Sequence, residues 1–120
     1  MFQNVHKNFG FGCMRLPMIG DEVDKAQFSR MIDLFLENGF NYFDTAHGYL
    51  QGKSETGLRE CLVARYPRER FILTDKLTEP YFRTQADIVP FFESQLRACG
   101  VEYFDFYLMH AQSRGNYDHF

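Results

Sequence analysis

Phe71-Ile72-Leu73-Thr74-Asp75-Lys76 is the stretch that decides the fold. An apolar run this short suits a strand buried on both faces, as in a parallel sheet, and it ends in a charged residue. The same pattern repeats on either side. Phe40-Asn41-Tyr42-Phe43-Asp44 predicts a strand ending on Asp44, and Phe104-Asp105-Phe106-Tyr107-Leu108-Met109-His110 predicts one ending on His110. Phe9-Gly10-Phe11-Gly12-Cys13-Met14 predicts a first short strand whose glycines let other groups approach the backbone. Cys13, Asp44, Lys76 and His110 follow one another at steps of 31, 32 and 34 residues, which match a βα unit of roughly 30 residues.

Helical periodicity fills the gaps. Pro17 and Gly20 break the chain after the first strand. Between Asp24 and Asn38, Phe28, Met31, Ile32 and Phe35 form one apolar stripe. Asp24 is placed to cap that helix, and Gly39 to end it in the left-handed conformation. Ser54 can cap a second helix running to about Arg65, with Leu58, Cys61 and Leu62 inward. A third helix stops at Gly100 and keeps Ile88, Phe92, Leu96 and Cys99 on one stripe. It has two possible starts: Thr84 with Asp87 as a cap pair, which puts Pro90 past the first turn, or Asp87 as the cap, which leaves Pro90 within it. The residues from Gln112 to Phe120 read as a loop. The order β-α-β-α-β-α-β implies parallel pairing and right-handed crossovers in a single α/β domain, residues 1–120.

Composition narrows the function classes. The 120 residues are 45% hydrophobic and 24% charged, ordinary for a globular chain. A net charge of −3 argues against nucleic acid as the main partner. No apolar run approaches the ~20 residues of a membrane span, and the residues after Met1 lead into no sustained apolar region. Cys13, Cys61 and Cys99 form no CxxC pair, so no metal site is expected, and a reduced, cytoplasmic setting fits them.

In a parallel α/β sheet all strand carboxyl ends lie on one side, the side that holds active sites. Asp44, Lys76 and His110 therefore converge there, and Tyr49, five residues beyond Asp44, can fold over them. Singly, each has an ordinary structural explanation: a loop cap, a solvated terminus, a packed histidine, a packed tyrosine. Four on one face in consecutive units make coincidence a poor account. A tyrosine hydroxyl, with an ordinary pKa of about 10, is a weak acid near neutrality, and a nearby ammonium makes it a better proton donor. Asp44 can orient Lys76, and His110 can steer a carbonyl toward Tyr49. An acid poised this way suits carbonyl reduction, with hydride from a cofactor.

Phe43-Asp44-Thr45-Ala46-His47-Gly48-Tyr49 followed by Gly52-Lys53-Ser54-Glu55 resembles the Asp-Thr-Ala-x-x-Tyr…Ser-Glu segment of aldo-keto reductases. Thr74-Asp75-Lys76-Leu77 resembles that family's Thr-Lys strand, and Val101 to His110 its Asp-Tyr-x-Asp-x-Tyr-Leu-x-His strand. Gly10-Phe11-Gly12-Cys13-Met14-Arg15-Leu16-Pro17 is similar to its first barrel strand. Met14-Arg15-Leu16-Pro17 and Lys53-Ser54-Glu55 are most similar to a bacterial branch, some members of which add a C-terminal iron–sulfur segment.

The resemblance covers nearly the whole chain, in order. It implies the first half of a (β/α)8 TIM barrel and NADPH-dependent reduction of aldehydes or ketones, with NADH the other possible donor. It also implies a catalytic tetrad of Asp44, Tyr49, Lys76 and His110, with Tyr49 the acid. Gly12, Cys13, Met14 and Asp44 fall where family members border the cofactor. Leu50-Gln51, where many relatives have Gly, reads as a minor departure. Four strands of an eight-stranded barrel leave two open edges, which invite association. The chain is thus expected to be part of a longer enzyme or to complete itself by self-association. Two other functions compete: a non-catalytic binding or regulatory module on a half barrel, and an aldolase-like use of Lys76 as a Schiff-base lysine.

Overall fold

Four parallel strands run in chain order in the computed structural model, which describes residues 2–120. Met1, the first residue of the expected domain, lies outside the described residues. The strands of this sheet are β1 (Gly10–Gly12), β4 (Tyr42–Asp44), β5 (Ile72–Leu77) and β6 (Phe106–Met109), hydrogen-bonded in the order β1-β4-β5-β6. Sequential order is that of a β/α barrel; a doubly wound sheet reverses direction after its first strands. The register pairs Gly12 with Asp44, Asp44 with Thr74, and Lys76 with Leu108. The chemistry-bearing strand ends therefore lie side by side. The sheet is open, with β1 and β6 as its edges.

β2 (Met18–Ile19) and β3 (Glu22–Val23) form a small antiparallel hairpin where the sequence predicted only a break. Gly20 makes it possible by taking φ +60°, a value its missing Cβ permits. The hairpin drops Val23 into the core.

α1 (Lys25–Glu37) starts as predicted: the Asp24 carboxylate accepts from the Gln27 N–H at 3.0 Å. Gly39 follows its end at φ +87°. Its deepest residues are Phe28, Ile32 and Leu36, while Met31 and Phe35 lie at the margin. They pack on Phe43 of β4, Leu73 of β5, and Leu58 and Leu62 from the second helical segment. Burying one such side chain fully stabilises the fold by about 1.5–3 kcal/mol. Phe11, Phe35 and Phe43 close the triangle between β1, α1 and β4, with ring centroids 5.2–5.6 Å apart.

α2 (Lys53–Leu58) continues into a wider π turn over Arg59–Val63. Here the prediction is corrected. Gly52, in the left-handed conformation, is the N-cap; Ser54 lies inside the helix and is fully buried. α3 (Gln85–Cys99) takes the first of its two possible starts: Thr84 and Asp87 form a reciprocal capping box. Pro90 consequently stands past the first turn. It is tolerated because Ala86, whose carbonyl loses its partner, is on the exposed side. The buried row of α3 is Phe91, Gln95 and Cys99. Ile88, Phe92 and Leu96 are only half-buried. Among the described residues, no helix is long and apolar enough to cross a membrane.

Candidate active site

Lys76 is the hub. β5 delivers its ammonium, whose side chain is only 10% exposed, to the carboxyl ends of β4 and β5. Nζ donates to Asp44 Oδ2 at 2.7 Å, to the Thr45 carbonyl at 2.7 Å and to Tyr49 Oη at 3.3 Å. These three acceptors match the three protons of an ammonium. Nζ also lies 4.8 Å from the centre of the Tyr49 ring. Thr45 is held in turn, because its N–H donates to the Thr74 carbonyl at 3.0 Å.

Tyr49 opens a short 3-10 turn, Tyr49–Gly52. Leu50 and Gln51 within it have φ of +52° and +56°. For residues with a Cβ, that conformation costs roughly 1–2 kcal/mol each. The departure at these two positions is therefore a real local strain, where a glycine would have none.

His110 closes the group. Its backbone N–H donates to the Leu77 carbonyl at 2.9 Å, which sets the ring beyond the end of β5. The ring stands edge-on to Tyr49, with centroids 5.8 Å apart and planes at 89°. Its Nδ1 lies 2.9 Å from Thr78 Oγ1. Burial, reinforced by the Lys76 ammonium, pushes the His110 pKa below its ordinary 6.5, with the Asp44 carboxylate opposing. The imidazole is thereby kept neutral.

Asp44, Lys76 and His110 from the strand ends and Tyr49 from the loop after Asp44 are thus brought together. The expected cofactor-bordering residues divide. Gly12 is exposed, and a Cβ added there would meet nothing within 4 Å. Met14 is half exposed. Cys13 follows Gly12 with its side chain fully buried in the core, where burial pushes its thiol well up. It serves the site through its backbone, its N–H donating to the Asp44 carbonyl at 2.9 Å and its carbonyl accepting from Ser54 Oγ at 2.8 Å.

Several contributors had weak signals or none in sequence. Thr78 gave none. Ser54 and Glu55 stood within the motif that carries the resemblance, Ser54 only as a helix cap and Glu55 without a role. Gln95 could have been noticed as a polar residue at helical spacing between Phe91 and Cys99. Glu55, Asp75 and Cys99 gather their oxygen and sulfur atoms within 4.8 Å of one another, fully buried. These groups are engaged with protein neighbours: Glu55 with His47 and Gln95, and Asp75 with the Lys76 N–H.

Comparison with known proteins bears on the family and the fold. The family model described as the Aldo/keto reductase family matches residues 8–117. Among curated proteins, norsolorinic acid reductase B of Aspergillus parasiticus is 35% identical over 71 residues, which are 59% of this chain and 18% of that protein. Human aldo-keto reductase family 1 member C3 is 29% identical over 85% of this chain and 31% of its own length. Among solved structures, aldo-keto reductase AKR11C1 from Bacillus halodurans superposes with a TM-score of 0.75 at 29% identity, covering 95% of this chain and 39% of that one. The aldo-keto reductase of Klebsiella pneumoniae, solved with NADPH, superposes at 0.72 with 23% identity over 87% of this chain and 35% of its own, a likeness of fold. The chain therefore spans less than two fifths of the length of each of these relatives. By its matched residues, the order of its strands and the fold it shares with these structures, the chain belongs to the aldo/keto reductase family.

Proposed function

We propose that this chain carries the proton-delivering half of a nicotinamide-dependent reduction of aldehydes or ketones to alcohols. The observation behind this reading is the single ammonium of Lys76 shared among Asp44, Thr45 and Tyr49, with His110 against the tyrosine ring.

Tyr49 is the general acid. As charge develops on a carbonyl oxygen, its hydroxyl gives up the proton, and Lys76 Nζ, within hydrogen-bond reach of Oη, stabilises the phenolate left behind. Asp44 keeps the ammonium aimed. His110, held neutral, orients the carbonyl by a hydrogen bond from Nε2. That tautomer requires Thr78 to donate to Nδ1, and the 2.9 Å contact accommodates it.

The residues at this face fit a flat nicotinamide ring. The open surface over Gly12 is beside Asp44 in the sheet, and Met14 flanks it. Gly12, Met14 and Asp44 would border the ring, and NADPH, the donor implied by the family, supplies the hydride when bound.

The same geometry disfavours Lys76 as a Schiff-base nucleophile. All three directions of its ammonium are taken by acceptors, so no lone pair faces a substrate. The test is Lys76→Met in the complete protein, assayed with NADPH and an aldehyde. The turnover number falls on the order of 100-fold or more, as for loss of a charge-stabilising donor. Undiminished turnover in that variant would end the reading.

A further inference from the structure

Proton delivery leaves one buried cluster unused, on the side of β5 that faces α2 and α3. Glu55 of α2 and Asp75 of β5 are each 0% exposed. Glu55 uses both oxygens: Oε2 lies 3.0 Å from His47 Nδ1, and Oε1 accepts from Gln95 Nε2 at 3.2 Å. The Gln95 amide can face only one way. Its nitrogen meets two acceptors, Glu55 Oε1 and the Lys76 carbonyl at 3.1 Å, while its oxygen accepts from the Tyr107 hydroxyl at 2.5 Å. Asp75 Oδ1 accepts from the Lys76 N–H at 2.8 Å, and Oδ2 has the Cys99 thiol at 3.9 Å.

Among the described residues, the one ion-pair partner of either carboxyl is His47, itself partly exposed. Two neighbouring carboxylates without an ammonium or guanidinium cannot both stay ionised in a buried setting. One proton placed between them replaces repulsion with a strong O–H···O bond.

We propose that Glu55 and Asp75 hold a single proton between them, Asp75 as donor and Glu55 as anion, and that the pair is a positioning element for the active site. Glu55 is the anion because Oε1 already accepts from Gln95 and Oε2 accepts from His47 when that ring carries its proton on Nδ1; Asp75 Oδ2 has only a distant thiol. The Glu55 carboxylate holds His47, two residues before Tyr49. Asp75 and Gln95 hold both backbone polar groups of Lys76. The segments bearing the acid and its ammonium are thereby fixed to one buried anchor.

Electrostatics point the same way. Burial, with Glu55 adding to it, pushes the Asp75 carboxyl up to about 9. Burial also raises Glu55, against hydrogen bonds from Asp75 and Gln95 that lower it. The other titratable groups facing the pair are His47 from the Tyr49 loop, Lys76 from β5, Cys99 from α3 and Tyr107 from β6. Burial raises both Cys99 and Tyr107, which keeps them neutral. The role given to Tyr49 and Lys76 rests on the proposed function. The proton does not, and it can be counted whether or not the protein reduces carbonyls.

The experiment is carbon-13 NMR of the full chain with carboxyl-labelled aspartate, then with labelled glutamate, across pH 5–10. The expected result is one aspartic acid still protonated at pH 7, titrating near 9 and absent in Asp75→Asn. Nitrogen-15 shifts report the anchor: His47 Nδ1 stays protonated and bound in the wild type and in Asp75→Asn, which keeps a donor for Glu55, and is released in Glu55→Ala. A chain with every carboxyl ionised at pH 7 overturns the proposal, as does a proton found on glutamate. The wild-type titration decides the proton even if Glu55→Ala fails to fold. If that variant folds and His47 is unmoved, the positioning role is wrong.

Discussion

Ser54 Oγ donates to the carbonyl of Cys13 at 2.8 Å, across 41 positions of sequence. Having spent its proton there, the hydroxyl accepts from Thr45 Oγ1 at 2.7 Å. All three residues are fully buried. One serine thus ties the end of β1 to α2 and to the residue whose carbonyl holds Lys76. Ser54→Ala strands a buried carbonyl and a buried hydroxyl, a loss of about 1–3 kcal/mol. Urea denaturation of the two chains measures it, and a change within about 0.5 kcal/mol, the range of neutral surface substitutions, would remove Ser54 from this role.

Two titrating groups give stability opposite slopes with pH. Asp75 has its folded pKa raised from 3.8 to about 9. Between those values the native state binds the extra proton, so this contribution is greatest at low pH and is lost as pH rises toward 9. His110 has its folded pKa lowered from 6.5. Below 6.5 the unfolded chain takes up a proton that the native state resists, so stability falls as pH drops through that value. Denaturation midpoints should therefore fall as pH rises from 6.5 to 9, while between pH 5 and 6.5 the two slopes oppose each other. Asp75→Asn should flatten the alkaline decline and uncover an acidic one. An unchanged alkaline slope in that variant would contradict the assignment.

The open sheet predicts association. β1 and β6 carry unpaired edges, and Leu108 and Met109 on β6 are 44% and 52% exposed. Beside β1, an apolar groove of about 510 Å³ runs along Phe9, Phe11, Met31, Leu34, Phe35 and Phe40. Exposed strand edges next to apolar surface pair with other chains. At micromolar concentration the isolated 120-residue chain should scatter light as dimers or larger species. A monodisperse monomer would show that these surfaces are satisfied within one chain.

Much of the fold was legible because it follows from local rules. Short apolar runs at regular steps named the parallel strands, and Asp24 and Gly39 bounded α1 by cap chemistry alone. The convergence of Asp44, Tyr49, Lys76 and His110 followed from parallel topology, which puts distant strand ends on one face. What escaped depends on three-dimensional placement. The β2–β3 hairpin is two residues per strand, too short for periodicity. Ser54 looks like a cap in sequence, yet a left-handed Gly52 takes that place and frees its hydroxyl for the core. Cys13 directly follows β1, and its side chain turns inward. Gln95 acquires meaning only when Glu55, Lys76 and Tyr107 arrive from three other elements.

If Tyr49 delivers the proton, Tyr49→Phe in the complete protein shows it most directly. That change deletes one hydroxyl and keeps the ring that faces His110. With NADPH and an aldehyde both saturating, kcat should fall by about 100- to 10,000-fold, the range typical of losing a general acid, while KM for the aldehyde changes little. A phenylalanine variant that turns over at the wild-type rate would remove Tyr49 as the acid.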